Sequence, residues 1–402
     1  MYKRIRNITI LCLFICAVTV LNSCINLNLN LNSGKNPGKT VITSTAVGDV
    51  SVNDKTSFMR NYLLSEEEKL VYDIVYSGMK NKQTTIKFSS LEGYFASESE
   101  MKKILSNAVF SVLRDHPELF MYNSGYTYEY NTEFEADSVA LKFDFNTEPE
   151  KAILMQQQID KVVNKLIEEM RGLDDYGKSK YVYTYLAQNT TYSDGENMHN
   201  MYGPLVDGVS KCDGYARAYM YVMQKCGIEV GYVCGVGKDE LHAWNTVKIN
   251  GNWYYVDCTW GDPIVEIEDE TEKKLNVDYS YLHINTEDLL KTHTLDEIYL
   301  KLPKYTATAD NYHVKEAFCF EAFDEAVLEK TIKDLIKNAD SDNTEFKLEI
   351  KYNTYEEMQK AFDWIAGDNM KKVASLINYS SFYYTKWQSD IGALSLKFVF
   401  EF

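Results

Sequence analysis

The sequence lacks the short motifs that carry most familiar enzyme chemistries. Its 402 residues contain no H-E-x-x-H zinc-peptidase motif, no G-x-S-x-G nucleophile elbow and no C-x-x-C metal or redox pair. The run Ser33–Thr40 looks like a phosphate-binding loop but has serine where that loop needs its first glycine. The sequence therefore predicts no nucleotide binding, no metal site and no cofactor.

Basic residues are also scarce. The chain has 42 Lys and Arg against 59 Asp and Glu, for a net charge of −17. The first 23 residues hold three basic and no acidic residues, so the remainder carries −20. A charge of this sign disfavours nucleic-acid binding and electrostatic docking on anionic lipid.

Cysteines are too few and too irregularly spaced for a disulfide framework. Beyond the first 23 residues only Cys24 and five others remain. Free cysteine is among the most buried residue types. We expect four of the five to be buried packing residues: Cys226, Cys234, Cys258 and Cys319. The fifth, Cys212, has a different local sequence.

Residues 1–23 read as a bacterial secretory signal. A basic start precedes the apolar run Ile8–Leu21, which is too short to span a bilayer comfortably. The following L-N-S-C resembles a lipobox, so Cys24 is a predicted lipidation site. Ordinary secretion with a free Cys24, or an uncleaved anchor, is the alternative. The predicted location is the cell surface or periplasm, with membrane contact only through the lipid.

The rest of the chain predicts an α+β protein of three parts. A polar, repetitive tether covers residues 24–57. Periodicity then indicates three domains. An N-terminal α/β domain covers residues 58–147, a central domain with a helix packed on an antiparallel sheet covers residues 148–303, and a C-terminal α/β domain covers residues 304–402. Neither flanking domain carries a recognisable chemical motif. The oligomeric state is not predictable.

The central domain contains a cysteine placed for reactivity. Ser210 and Asp213 form a capping pattern at the start of a helix predicted over Lys211–Cys226, which Gly227 ends. Cys212 then lies in the first turn, where free N–H groups and the helix dipole favour the thiolate.

A predicted hairpin brings a histidine near an aspartate. Leu241–Ile249 and Asn252–Thr259 have strand composition and are separated only by Asn250-Gly251. In this register four side chains project from one face: His242, Trp244, Asp257 and Thr259. A carboxylate next to an imidazole fixes its tautomer. If the helix start packs on that face, Cys212, His242 and Asp257 form a nucleophile, a base and an orienting group.

These motifs together resemble the transglutaminase-like superfamily, relatives of papain-type cysteine peptidases. The similarity rests on G-V-S-K-C-D-G-Y-A, H-A-W-N and W-Y-Y-V-D-C-T-W, with T-Y-S upstream and Y-S-Y-L downstream, and covers about Lys178–Leu302. It implies acyl transfer through a thioester on Cys212 at peptide or protein amide bonds. It leaves open whether water or an amine accepts the acyl group. We expect hydrolysis, because no acyl-acceptor site is evident.

The aromatic residues near the site have two interpretations each. Trp244 and Trp260 either line a substrate groove or pack in the core, and Trp244 is the predicted groove residue. Tyr192 or Tyr202 could complete the oxyanion site with the Cys212 backbone N–H; Tyr192 is the predicted substrate contact. The competing function is a catalytically silent surface module that binds protein or cell-wall partners. Thiol reactivity at Cys212 distinguishes the two.

Overall fold

The computed structural model describes residues 57–88, 95, 97–129, 139–262, 277–316, 319–338, 345–367, 383–390 and 395–401. The predicted signal, the lipidation site Cys24 and nearly all of the tether lie outside these residues, as does Pro263. No helix among the described residues is long and apolar enough to cross a membrane.

The described residues divide into two compact units. The first contains those up to Gly251 together with Val256–Val277 and Thr294–Pro303. The second contains Asn252–Tyr255, Asp278–His293 and Lys304–Phe402. The structure mixes helices and strands throughout, which confirms the predicted α+β class. The three-domain division remains a prediction.

The first unit begins with helices on a small sheet. Its elements are α1 (Phe58–Tyr62), α2 (Glu66–Lys80), β1 (Thr85–Lys87), α3 (Glu98–Asp115), β2 (Tyr122–Glu129) and β3 (Ala140–Phe145). The strands form an antiparallel sheet in the order β1-β3-β2. The apolar faces of α2 and α3 pack against each other and enclose one core with the sheet. Helix α2 starts at a complete capping box between Ser65 and Glu68.

The same unit continues into the helices that surround the predicted site. These are α4 (Pro149–Glu169), α5 (Asp175–Asn189) and α6 (Cys212–Lys225). Between α5 and α6, the short strands β4 (Thr191–Tyr192) and β5 (Val209–Ser210) pair in parallel.

Helix α6 is the buried helix of this region. Nearly all its residues from Cys212 to Met223 are buried, since α6 packs against α5 on one side and strands on the other. It ends where predicted: Gly227 has φ +74°, the left-handed conformation that glycine adopts without strain.

Strands β6 (Val230–Gly237) and β7 (Glu240–Ile249) support α6. They pair in antiparallel register, with Gly235 opposite His242. The next strand, β8 (Asn252–Val256), follows a two-residue turn in which Asn250 and Gly251 both have positive φ, as predicted.

The prediction that β8 continues to Thr259 is wrong. The strand ends at Val256, and Asp257 caps a short helix, α7 (Cys258–Gly261). The physical reason is that the Asp257 carboxylate accepts the first backbone N–H groups of that helix, which favours a helix start over strand continuation.

The second unit also contains β9 (Leu282–Ile284), α8 (Thr286–Leu289), the start of β10 (His293–Leu295) and α9 (Tyr312–Lys315). A separate sheet of four strands follows these elements in the chain. Strands β11 (Cys319–Phe320), β12 (Glu345–Tyr352), β13 (Tyr383–Asp390) and β14 (Ser395–Glu401) form a sheet in the order β11-β12-β14-β13. Helices α10 (Glu325–Asn338) and α11 (Tyr355–Ala366) share its apolar core.

Candidate active site

Cys212 is the first residue of α6 and is only 8% exposed. An N–H in the first turn of a helix has no acceptor within that helix, so it is available to stabilise negative charge. Asp213 and Gly214 follow. Glycine is needed at 214, because a Cβ there would overlap the Ser210 hydroxyl and lie 2.5 Å from the Met198 carbonyl oxygen.

The predicted cap of this helix is wrong. Lys211, not Ser210, occupies the N-cap position, and no side chain caps the helix. Ser210 instead belongs to β5, and its hydroxyl donates to the Met198 carbonyl at 3.0 Å. Asp213 turns its carboxylate to His199. In the first turn of α6, Oδ1 of Asp213 also accepts the Gly214 N–H at 3.1 Å, so that N–H is not available to a ligand.

His242 and Asp257 are brought together as predicted. Nε2 of His242 lies 2.7 Å from Oδ2 of Asp257. His242 is 5% exposed and Asp257 is 1% exposed, so the pair is shielded from solvent. Gly237 makes room for the imidazole, because a Cβ at that position would lie 3.1 Å from the histidine ring.

The second oxygen of Asp257 is also fixed. Oδ1 accepts the backbone N–H groups of Thr259 at 2.9 Å and of Trp260 at 3.2 Å. A carboxylate held in this way has little freedom to rotate, and it orients the imidazole. When Asp257 is ionised it accepts a hydrogen bond from the Nε2–H of His242, which leaves Nδ1 as the basic nitrogen of the ring.

Tyr192, rather than Tyr202, lies beside the cysteine. Burial raises the pKa of Tyr192, and the neighbouring Cys212 adds to the shift. Lys211 lies over the Tyr192 ring, with its Nζ 4.8 Å from the centroid. The Tyr202 hydroxyl instead donates to Gln158 at 2.6 Å.

The two tryptophans near the site differ in exposure. Trp244 is 1% exposed and its ring stacks near His242, with the centroids 5.8 Å apart. A side chain this buried belongs to the core, so the prediction that Trp244 lines a substrate groove is wrong. Trp260 is more exposed; its ring also stacks on His242 at 5.5 Å, and Lys238 Nζ lies 4.5 Å from its centroid. Thr259, which was predicted on the same hairpin face as His242, lies in α7 instead.

Sequence reasoning missed the contact that ties α6 to α7. The Tyr215 hydroxyl donates to Oδ2 of Asp262 at 2.6 Å, and both residues are buried. Gly261 packs against the Tyr183 ring so closely that a Cβ would overlap it. The first contact holds the end of α7 against the nucleophile helix α6, and the second holds it against α5. The only sequence signal was the W-G-D run after the strand.

The remaining described cysteines are poor nucleophiles or lie elsewhere. Cys234 and Cys258 are buried, as predicted, and burial raises the pKa of each thiol. The prediction of burial is wrong for Cys319, which is exposed, and only partly right for Cys226. Cys319 lies on β11 at the end of the sheet and therefore keeps contact with solvent.

Nothing in the chemistry of the Cys212 site depends on a cofactor. A thiol at a helix start, an imidazole and an oriented carboxylate are sufficient for nucleophilic attack on a carbonyl. The catalytic roles of Cys212, His242 and Asp257, and the expected absence of a metal, remain predictions.

The sequence matches known proteins in this region. Residues 164–258 match the model of the transglutaminase-like superfamily. Among curated proteins, the kyphoscoliosis peptidase of Mus musculus is 32% identical over 93 residues, which is 20% of this chain and 14% of that protein. The kyphoscoliosis peptidase of Homo sapiens is 35% identical over 69 residues, covering 14% of this chain and 10% of that protein. The chain thus spans about a seventh or less of these relatives.

Two solved structures show limited similarity. A candidate cysteine protease from Cytophaga hutchinsonii is 16% identical with a TM-score of 0.24, covering 30% of this chain and 51% of that one. A structure described as a TGase is 15% identical with a TM-score of 0.26, covering 39% of this chain and 49% of that one. Such scores do not establish a shared overall fold. The match over residues 164–258, which includes Cys212, His242 and Asp257, places this region in the transglutaminase-like superfamily.

Proposed function

We propose that this protein is an extracytoplasmic transglutaminase-like cysteine enzyme that acts on peptide or protein amide bonds through a thioester at Cys212. The observation that carries the proposal is the buried 2.7 Å contact between His242 Nε2 and Asp257 Oδ2, in the same compact unit as a cysteine at a helix start. The name peptidase of the two curated relatives supports peptide amides as the substrate class.

In the first half-reaction, Nδ1 of His242 takes the proton of the Cys212 thiol. The thiolate attacks the amide carbonyl carbon, a C–S bond forms, and the oxygen becomes an oxyanion. The Cys212 backbone N–H donates to that oxyanion, and Asp257 stabilises the imidazolium. His242 then gives its proton to the leaving amine as the C–N bond breaks, and a thioester remains.

In the second half-reaction, an acceptor releases the acyl group. Water or an amine attacks the thioester, His242 takes the acceptor's proton, and the proton returns to the departing Cys212 sulfur. We propose water as the main acceptor, because the sequence offers no evident site for an amine. The balanced product of that route is a free carboxylic acid.

The proposed location is the cell surface or periplasm, held by a lipid anchor on Cys24. The basic start, the apolar run and the L-N-S-C sequence at residues 21–24 support it. The anchor leaves a strongly acidic body outside the membrane, where protein or peptide substrates are reached in solution.

A peptide-amide assay with two cysteine variants tests the activity. Cys212→Ala should abolish release of free carboxylic acid from any peptide that the wild type cleaves. Cys319→Ala, at an exposed cysteine on β11, is the matched control and should retain the wild-type rate. Full activity in Cys212→Ala rules out the thioester mechanism. A wild type that cleaves no peptide amide and has an ordinary thiol would instead be the silent binding module.

A further inference from the structure

A cavity lies in the first unit, beside the first turns of α6. Its volume is about 440 Å³, within the range of small-molecule sites. Asp213, the residue after Cys212, lines it, whereas Cys212, His242 and Asp257 do not. Its other walls come from the end of α3, the start of β2 and the segment between β4 and β5. The cavity is thus distinct from the predicted catalytic site.

Arg217 supplies a positive charge to this cavity. Its guanidinium is partly buried and donates one N–H, from Nη1, to the Leu113 carbonyl at 2.9 Å. It also lies over the Tyr232 ring, 5.1 Å from the centroid. Within the part of the chain that the structure describes, no carboxylate forms an ion pair with Arg217. An arginine has five N–H donors, so most of its capacity remains for a ligand.

His199 supplies a second donor. Its Nδ1 lies 2.9 Å from Oδ1 and 3.1 Å from Oδ2 of Asp213. The hydrogen bond to Asp213 raises the pKa of His199, although burial and the charge of Arg217 lower it. The protonated ring also donates from Nε2, which makes no hydrogen bond to any residue that the structure describes. His199 and Arg217 are therefore two donors that line one cavity.

The carboxylates that line the cavity already have partners. Asp213 is paired with His199, and Glu196 forms an ion pair with Lys151 at 3.1 Å. Among the described residues that line the cavity, Arg217 is the charged side chain without an ion-pair partner, so the cavity favours an anion over a cation.

The remaining walls indicate the body of that anion. Leu113, Leu119 and Phe120 line one part of the cavity and offer apolar surface. Asn123 and Asn200 add amide groups that donate hydrogen bonds. A compact acid with an apolar group matches this combination, because an arginine binds a carboxylate through two parallel hydrogen bonds.

We propose that this cavity binds a carboxylate attached to a short apolar body, with Arg217 and His199 as the carboxylate-binding residues. The carboxylate belongs either to a free small acid or to the C-terminus of a peptide. The site is independent of the proposed catalytic mechanism, and binding is measurable whether or not the protein cleaves amides.

Calorimetric titration with N-acetyl-leucine and N-acetyl-leucinamide tests the charge requirement in the full chain. We expect the acid to bind at least about tenfold more tightly than the amide, since only the acid forms charge-assisted hydrogen bonds. Equal affinity for the two, or no binding of the acid at millimolar concentration, would overturn the proposal.

Two variants test the assigned residues. Arg217→Gln should weaken binding of N-acetyl-leucine by about tenfold or more and leave the amide unaffected. Arg171→Gln, at an exposed arginine paired with Glu168, is the control and should bind like the wild type. Unchanged acid affinity in Arg217→Gln overturns the assignment. If that variant fails to fold, the half-exposed His199→Gln gives the same test with the same two outcomes.

A tripeptide distinguishes the two sources of the carboxylate. Acetyl-Ala-Ala-Leu with a free C-terminus should bind more tightly than N-acetyl-leucine if the ligand is a peptide terminus, and no more tightly if it is a small acid. Either result supports a carboxylate site. Equal binding of the amidated tripeptide contradicts it.

Discussion

Two histidine–aspartate pairs flank the nucleophile helix, and they differ in burial. His242 and Asp257 have side-chain exposures of 6% and 1%, whereas His199 has 49% and Asp213 has 6%. Both pairs are close, at 2.7 Å and 2.9 Å. His199 is half-exposed, so water and salt screen its interaction with Asp213 more than they screen the His242–Asp257 pair. Two pairs at similar distances therefore differ in the strength of their electrostatic interaction.

The pairs also use different nitrogens. Asp257 holds Nε2 of His242 and leaves Nδ1 as the base, while Asp213 holds Nδ1 of His199 and leaves Nε2 at a cavity. The second oxygen of Asp257 accepts two backbone N–H groups of the helix that it caps, those of Thr259 and Trp260. In the other pair both oxygens of Asp213 lie near Nδ1 of His199, and Oδ1 also accepts the Gly214 N–H. The orientation of each imidazole is therefore set by the groups that surround its carboxylate partner.

The largest expected effect comes from removing each histidine in turn. His242→Ala should reduce kcat/KM for an amidated peptide by roughly 10⁴-fold or more, because the general base is lost. His199→Ala should reduce it by less than about tenfold, since that histidine only supports the neighbouring cavity. Equal losses of kcat/KM in the two variants would show that the two pairs do not differ in their contribution to catalysis.

A substitution at Asp257 tests whether its carboxylate orients His242. Asp257→Asn should lower kcat by about 10²- to 10⁴-fold, because an amide can donate to Nε2 and select the wrong tautomer of His242. The fold should persist, since the asparagine oxygen can still cap α7. Circular dichroism checks the fold and kcat checks the chemistry. A kcat close to that of the wild type would show that Asp257 only caps the helix.

A smaller effect is expected at the tyrosine beside Cys212. Tyr192→Phe removes one hydroxyl donor, and we expect kcat to fall by about tenfold. Tyr202→Phe is the matched control, because its hydroxyl bonds to Gln158 on α4. If both variants lose activity equally, the hydroxyl next to Cys212 has no particular role.

The smallest effect concerns the exposed pair and its pH dependence. Asp213 raises the pKa of His199, so the pair stabilises the folded state below about pH 6.5 and the stabilisation is lost as pH rises through the folded pKa. Asp213→Asn should lower the His199 pKa in an NMR titration. Its deficit in unfolding free energy should be larger at about pH 5 than at about pH 8.5. A deficit that grows with pH would contradict this sign.

Local signals in the sequence predicted the elements that carry the site. The Asn250-Gly251 turn and the left-handed Gly227 are conformational requirements of single residues, and both are present. The nearness of His242 to Asp257 followed from the two-residue turn between their strands. These features depend on neighbours in sequence, so one sequence is sufficient to predict them.

Other parts depended on tertiary contacts and were not predictable. Ser210 pairs in a parallel strand and donates to the Met198 carbonyl instead of capping α6. Met198 lies 12 residues earlier in the chain, so the residues next to Ser210 do not indicate this contact. The His199–Asp213 pair spans 14 residues and the His242–Asp257 pair spans 15, yet only the second has a turn signal between its members. Burial of Trp244 likewise follows from the packing of the sheet against α6.

The most direct test of a catalytic Cys212 is the pH dependence of its labelling by iodoacetamide, in the wild type and in His242→Ala. We expect fast labelling well below about pH 8.5, the ordinary pKa of a free thiol, and slower labelling in the variant. Mass spectrometry of the peptide that contains Cys212 separates this signal from Cys319. Slow labelling with an ordinary thiol profile in both proteins would contradict an activated thiolate paired with His242.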